Sequence, residues 1–323
     1  DSAADERFAE SRSLMLSGLR SFIAAPLLDA QGALGMIVVG AALGVRSFKD
    51  EDLELLVSLA SVAALRIRNV RLVAEAMERQ KLEQEVRLAR QIQVALLPAS
   101  LPQVPGWEMH GGTLPSRGVS GDFYKALIRG DGTSLALFVA DVSGKGVAAS
   151  LLTASLEALS ALPLEGADSP ERICEKVGKL LHQRTPPEKY ATAFLGILEP
   201  ETGRLRWTNA GHNPALLLRA AGEPEWLKAN GTPLGLLPGA KYREGELTME
   251  PGDALLVYTD GITEALDPDD EEFGETRLLE AAARHRALAL REMAAGLERD
   301  LDAFARGVPF HDDRTLVILR RSA

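Results

Sequence analysis

Residues 117–124, Arg117-Gly118-Val119-Ser120-Gly121-Asp122-Phe123-Tyr124, and residues 134–146, Ser134-Leu135-Ala136-Leu137-Phe138-Val139-Ala140-Asp141-Val142-Ser143-Gly144-Lys145-Gly146, decide the fold. An apolar run of strand length drives into Asp141, and a glycine-rich turn follows it. Such a run predicts a central strand with its acid at the rim of the sheet. Asp122, also beside a glycine, lies one hairpin upstream. The pattern recurs where Ala254-Leu255-Leu256-Val257-Tyr258-Thr259 runs into Asp260-Gly261. A mirror version closes the sequence, where Asp312-Asp313 precede Leu316-Val317-Ile318-Leu319. A single Asp beside a Gly is usually a turn residue. Several carboxylates gathered on one rim repel one another unless a cation sits among them. With no Cys or His cluster beside them, zinc is disfavoured, and oxygen-only ligands favour Mg²⁺ or Mn²⁺. Two such ions suit in-line displacement at phosphorus, so the residues themselves point to a metal-dependent phosphoester enzyme.

The chain has 323 residues, 46% hydrophobic and 25% charged, with a formal net charge of -10. That composition is ordinary for globular material, and the length predicts roughly two domains. An acidic balance argues against a general nucleic-acid binder, which needs a basic face. No signal peptide is visible, and no apolar run approaches the roughly 18 residues of a membrane span. The chain starts at Asp1 rather than Met and is expected to be a fragment. Its one cysteine, Cys174, rules out an internal disulfide, fits a reducing, cytoplasmic compartment, and reads as a buried helical thiol.

The order of elements follows from pattern. Residues 21–28 and 34–40 read as a hairpin about the turn Asp29-Ala30-Gln31-Gly32. Asp50-Glu51-Asp52 opens a helix with no Pro or Gly from Asp52 to Leu97. Its seam, Leu53, Val57, Ala60, Ala64 and Ile67, then Leu82, Val86, Ala89, Gln93 and Leu96, predicts a two-stranded coiled coil in a parallel homodimer. Pro98 ends the helix. From Trp107 strands alternate with helices, one of them at 147–162 and stopped by Pro163. Strand clusters interleaved with helix pairs predict an α/β sandwich. The expected domains are a sensor segment at 1–50, a linker helix at 51–97 and a catalytic domain at 98–323.

Residues 21–70 resemble the C-terminal half of a GAF domain, a small-ligand sensor fold. The resemblance rests on Ala25-Pro26-Leu27, Gly32, Leu34-Gly35-Met36-Ile37-Val38, Phe48 and Asp52-Leu53-Glu54-Leu55-Leu56. A small molecule or a protein would supply the input there. Residues 85–320 carry a longer series of motifs. They include Ala89-Arg90-Gln91-Ile92-Gln93 with Leu96-Leu97-Pro98, Pro115-Ser116-Arg117, Val119-Ser120-Gly121-Asp122-Phe123-Tyr124 and Asp141-Val142-Ser143-Gly144-Lys145-Gly146-Val147-Ala148-Ala149. Asn209-Ala210-Gly211-His212-Asn213-Pro214, Tyr258-Thr259-Asp260-Gly261-Ile262-Thr263-Glu264-Ala265 and Asp312-Asp313-Arg314-Thr315 follow in order. These resemble the SpoIIE-like branch of the PPM metal-dependent serine/threonine phosphatases.

The resemblance implies an αββα sandwich with two metal ions, Mn²⁺ or Mg²⁺, between its sheets. It implies that Asp141 bridges the ions with help from the Val142 carbonyl. Asp260 and Asp312 would bind the second ion, with Asp313 beside them, and Asp122 would act on the site directly or through a water. A metal-bridged hydroxide would attack a phosphoserine or phosphothreonine, with Arg117 gripping the phosphate. The implied substrate is a phosphorylated STAS-type anti-anti-sigma factor of a partner-switching pathway. Lys125 stands where many members carry an acid, and a lysine there either weakens a metal or pairs with an acid. Re-registering the linker helix is expected to act through the 147–162 helix on the Gly144–Gly146 turn. His212 is expected to fix a turn by hydrogen bonds. The rival reading is a non-catalytic dimeric sensor and scaffold with a phosphatase-like docking domain, for which loss of one of these acids would speak.

Overall fold

The computed structural model describes residues 19–42, 47–96, 98, 100–116 and 118–322. By contact the chain falls into two units, Asp1–Gln84 and Glu85–Ala323.

In the first unit β1 (Leu19–Asp29) and β2 (Gly32–Ala42) form the expected antiparallel hairpin. Gly32 sits in its turn at φ 133°, a conformation open to glycine. Helix α1 (Asp50–Leu96) opens with three acids in its first turn, which suits the helix dipole, and runs for 47 residues, those from Glu85 on counted in the second unit. The expected seam is only partly available to a second copy. Ala60 and Ala64 are fully buried, and Ala60 with Leu56 packs against Ala25 of the hairpin. Leu53 and Val57 are instead exposed, as are Leu55, Leu59 and Val62. The small Ala60 lets the hairpin approach the helix at that point.

The second unit is an αββα sandwich of two five-stranded sheets, each antiparallel throughout. Sheet 1 runs β10 (Gly245–Thr248), β7 (Arg204–Ala210), β6 (Ala191–Glu199), β5 (Leu135–Val142), β4 (Asp122–Ile128). Sheet 2 runs β3 (Trp107–Leu114), β12 (Arg314–Arg321), β11 (Ala254–Tyr258), β8 (Ala215–Leu218), β9 (Glu225–Leu227). Helices α2 (Val147–Glu165) and α3 (Pro170–Arg184) cover sheet 1 through Leu152, Leu156, Ile173 and Leu181, packed on Phe123, Phe138 and Leu195. The short α4 (Asp260–Thr263) leads on to α5 (Gly274–His285) and α6 (Leu290–Ala305), which cover sheet 2 through Leu278, Met293 and Leu297. Between the sheets Leu135, Leu137, Val139 and Phe194 meet Leu255, Val257, Val317 and Leu319. Period-two alternation thus divides β5: odd residues face the other sheet and even residues face the helices.

Two expectations need correction. Pro163 does not stop α2, which continues to Glu165, where Gly166 N–H closes on the Leu162 carbonyl. The proline removes only the one N–H that would have met the Leu159 carbonyl, and the helix runs on for two residues beyond it. The second concerns apolar runs: α2 is long and apolar enough to cross a membrane by length and composition. Its buried positions, Ala149, Leu152, Leu156 and Leu164, belong to the core over sheet 1. Strand β9, three residues long, was too short to leave a pattern. Cys174 is buried in α3, as expected, and burial pushes its thiol pKa up.

Candidate active site

Cross-strand register builds the first half of the site. Asp122 on β4 lies opposite Asp141 on β5, and Asp141 lies opposite Thr192 on β6. Their neighbours two residues along, Tyr124, Val139 and Phe194, fill the core between the sheets. Asp122, Asp141 and Thr192 therefore form a row on the face turned toward sheet 2. That sheet answers with hydroxyls and acids at the end of β11 and the start of β12.

Asp122 is buried, 2% exposed. Its Oδ2 accepts hydrogen bonds from the Thr259 hydroxyl at 2.7 Å and the Thr315 hydroxyl at 2.6 Å. Thr315 N–H donates to Thr259 Oγ1 at 2.9 Å, and Thr113 Oγ1 lies 2.9 Å from Thr315 Oγ1. One carboxylate of sheet 1 is thus tied into a hydroxyl cluster of sheet 2. Thr315→Val removes one of the two donors and is expected to cost about 1–2 kcal/mol in chemical denaturation of the metal-free protein. Thr315→Ser, which keeps the hydroxyl, is expected to cost less.

Asp313 anchors the loop before β4. Its Oδ1 accepts Ser116 N–H and its Oδ2 accepts Gly121 N–H, both at 2.7 Å. Asp312 faces Lys145 of the turn after β5, with Nζ 2.6 Å from Oδ2. The same ammonium donates to the His311 carbonyl at 3.0 Å. Gly144 and Gly146 adopt φ 100° and 73°, which lets the turn carry Lys145 across to the 311–312 loop. Asp260 starts α4, and Gly261 fits beneath the 312–313 backbone: a Cβ there would stand 2.0 Å from the Asp313 carbonyl oxygen. Val142 is buried at the end of β5, and its N–H donates to the Gly121 carbonyl at 3.3 Å. A Cβ on Gly121 would lie 3.3 Å from both Asp141 Oδ1 and the Val142 carbonyl oxygen, so all three share one small space.

Crowding shows in the protonation of these acids. Burial, then repulsion from Asp122, Asp260, Asp312 and Asp313, pushes Asp141 up to about 9. Burial pushes Asp122 up to about 7 against the pull of its two hydroxyl donors, with Asp313 and Asp260 adding to the rise. Asp260 is pushed up to about 6 by burial, Glu264 and Asp312. Among the described residues no three acids converge into a finished ion site. Crowded together, they lack the positive charge that would let them all ionise. The donor chemistry fits a hard divalent ion: carboxylates with a peptide carbonyl beside them, and no thiolate or imidazole among them.

The remaining residues singled out from sequence fall around this cleft. Arg117 lies outside the described residues. Lys125 points to the helix side of β4, where its ammonium pairs with Glu157 of α2 at 2.7 Å. It therefore meets an acid on the face opposite Asp122. His212 is buried; its N–H donates to Asn209 Oδ1 at 2.8 Å and its Nδ1 lies 2.8 Å from Thr192 Oγ1. Burial lowers its pKa to about 4, so it stands neutral and holds its turn. Sequence reading overlooked Thr259, Thr315 and Thr153, whose hydroxyl donates to the Gly121 carbonyl at 2.9 Å. For Thr259 and Thr315 the available signal was a threonine beside an acid or at a strand start; Thr153, inside α2, gave none.

A sandwich of two antiparallel sheets, clad by helix pairs with acids gathered between them, is the PP2C-type fold. The family described as Stage II sporulation protein E (SpoIIE) matches residues 131–322, and the GAF domain matches residues 1–67. The chain belongs to the SpoIIE family: it carries a SpoIIE-type serine/threonine protein phosphatase domain after a partial GAF domain. Protein IcfG of Synechocystis sp. (strain ATCC 27184 / PCC 6803 / Kazusa) is 30% identical, across 74% of this chain and 42% of its own length. The chain thus spans less than half of that relative. Phosphoserine phosphatase RsbU of Bacillus subtilis (strain 168) is 26% identical over 75% of this chain and 71% of its own. Among solved structures, the SiaA-PP2C domain of Pseudomonas aeruginosa aligns with TM-score 0.67 at 22% identity, covering 76% of this chain and 99% of that one. The RsbU and RsbW domains of Rv1364c from Mycobacterium tuberculosis give TM-score 0.58 at 29% identity, covering 71% and 63%.

Proposed function

We propose that this protein hydrolyses phosphoserine or phosphothreonine on a partner protein, using two divalent ions, Mn²⁺ or Mg²⁺, in the cleft between its sheets. The observation that carries the reading is the meeting of Asp122 and Asp141 from sheet 1 with Asp260 and Asp312 from the loops of sheet 2, in a space whose acids repel one another. The ions would be held by Asp141, the Val142 carbonyl, Asp260, Asp312 and, directly or through a water, Asp122. When bound they supply charge neutralisation at the phosphoryl group and a shared water of lowered pKa. The chain's own contribution is positioning. Asp313, engaged at both oxygens by backbone N–H groups, holds the loop that leads to Asp122 rather than waiting free for an ion. Lys145 pairs with Asp312 and so ties the turn after β5 to the 311–312 loop. Arg117 is the candidate ligand of the substrate phosphate, since a guanidinium can grip two phosphate oxygens.

The likeness to phosphoserine phosphatase RsbU supports a phosphorylated STAS-domain anti-anti-sigma protein as substrate. The apolar side chains left exposed on α1, among them Leu59, Val62, Val70, Val73 and Met77, support a parallel homodimer through that helix. The GAF segment is the place for a small-molecule or protein input, and a cytoplasmic setting follows from the single unpaired cysteine. Phosphate release from a phosphorylated STAS-domain protein tests the reading. Release is expected with Mn²⁺ or Mg²⁺, is abolished by EDTA and returns on adding the ion back. Release that survives EDTA, or none from folded protein with Mn²⁺ shown to be bound, overturns it.

A further inference from the structure

The loop into Asp122 draws its hydrogen bonds from distant parts of the chain. Asp313 takes Ser116 N–H and Gly121 N–H, and Thr153 of α2 takes the Gly121 carbonyl. Between them Ser120, 3% exposed, is held from α1. Gln93 is itself 6% exposed, although it sits near the end of a helix that is mostly solvated. Its Oε1 accepts Ser120 N–H at 2.7 Å, and its Nε2 donates to the Ser120 carbonyl. The side-chain amide therefore pairs with one residue's backbone donor and acceptor together, as a neighbouring strand would. One turn earlier, Arg90 Nη1 donates to the Gly118 carbonyl at 3.4 Å, and Val86 underlies Gly118, whose φ is 82°. The Ser120 hydroxyl in turn accepts Asp122 N–H at 3.0 Å. The path from Gln93 to the buried carboxylate of Asp122 is thus two residues of backbone with a hydrogen bond at each step.

We propose that Gln93 is a positioning residue for the metal site: its amide fixes Ser120, and through it the Gly121-Asp122 backbone, in register with α1. The inference rests on the phosphatase reading above. Glutamine suits the task because it carries a donor and an acceptor side by side on a stem of the needed length. Glutamate keeps the length and the acceptor but loses the donor. Methionine keeps the bulk and loses both. Without the clamp, two buried peptide groups lose their partner and the loop gains freedom at the point where it enters the cleft. Because Gln93 belongs to α1, a slide of that helix by one residue, about 1.5 Å, breaks both bonds at once.

The test uses the full chain with Gln93→Met and Gln93→Glu. Mn²⁺ affinity is read without substrate from the paramagnetic resonance of the free ion. Amide exchange is read across residues 118–122, and steady-state kinetics at varied Mn²⁺. Gln93→Met is expected to weaken Mn²⁺ binding about tenfold or more and to speed exchange at Ser120 and Gly121 by a similar factor. KM for the phosphoprotein should stay near wild type once Mn²⁺ saturates. Gln93→Glu should keep part of the Ser120 protection and fall between. Wild-type Mn²⁺ affinity and exchange in both variants, with only a lower melting temperature, would overturn the proposal. If the methionine variant fails to fold, the glutamate variant decides by the same two readouts. A wild type that binds no Mn²⁺ sinks the phosphatase reading instead, and the exchange data still decide whether Gln93 holds the loop.

Discussion

Asp141→Asn is expected to lower metal-dependent phosphate release by about a thousandfold or more while raising the melting temperature of the metal-free protein. The loss follows from removing the acid proposed above to serve both ions, since groups that stabilise transition-state charge carry effects of this size. The gain follows from the same residue's surroundings. Asp141 has a folded-state pKa raised from 3.8 to about 9. An acid so shifted binds its proton more tightly when folded than when unfolded. Its contribution to metal-free stability is therefore most favourable below about pH 4 and declines as pH rises through about 9. An asparagine feels none of this. The advantage of the variant over wild type should accordingly grow across that window and reach about 1–2 kcal/mol near neutral pH, or roughly 3–6 °C for a domain of this size. Saturating Mn²⁺ should reverse the order, because only the wild type gains binding energy in the folded state. Thermal melts with EDTA and with Mn²⁺ at several pH values check both signs. A variant less stable than wild type in EDTA at pH 8 would show that Asp141 is compensated within the chain.

Gly261→Ala is the second large effect. The new methyl would meet the Asp313 carbonyl oxygen at 2.0 Å and the Asp312 carbonyl carbon at 3.2 Å, contacts with backbone that no rotamer relieves. Relief requires the 312–313 segment to move, and Thr259 N–H, Thr315 N–H and both aspartates move with it. A loss of about 3 kcal/mol is expected, with Mn²⁺ affinity falling as well, since Asp260 and Asp312 lie on the two sides of the collision. Gly112→Ala on edge strand β3 is the control. Nothing lies within 4 Å of a Cβ there, and a change within about 0.5 kcal/mol is expected. Equal stability of the two variants by urea denaturation would mean the turn is looser than its geometry requires.

Much of this was legible in the amino-acid sequence because the decisive strands are buried on both faces. Leu135–Val142 and Ala254–Tyr258 read as apolar runs ending at acids, and those acids stand at the rim. The sandwich and the four acids of the cleft follow from such runs. What stayed hidden depends on partners far apart in the chain. Nothing near Thr315 announces that its hydroxyl reaches Asp122, 193 residues away. The local pattern at Gln93 is that of a polar break in an apolar seam, which reads as a coiled-coil position until Ser120 is seen against it. The seam has a related limit: periodicity tells which residues share a helix face, but not which of them the chain's own hairpin covers, as it does Ala60. Lys125 was ambiguous only until strand alternation in β4 was fixed by the burial of Phe123 and Tyr124 on opposite sides.

The order of strands in sheet 2 has a consequence for how the protein is made. β3 lies at the edge and pairs with β12, which sits between it and β11. Roughly 200 residues separate the two partners in sequence, which at ordinary rates of translation is about 10–40 s of synthesis. Through that interval β3 has no mate on the growing chain, and the loop carrying Asp122 lacks Asp313, Thr315 and the 312 loop. Sheet 1 has its strands from β4 to β7 on hand much earlier and can assemble first on the ribosome. Completion of the acidic cluster is then a late, long-range event, so an unfinished polypeptide holds Asp122 and Asp141 without Asp260 and Asp312.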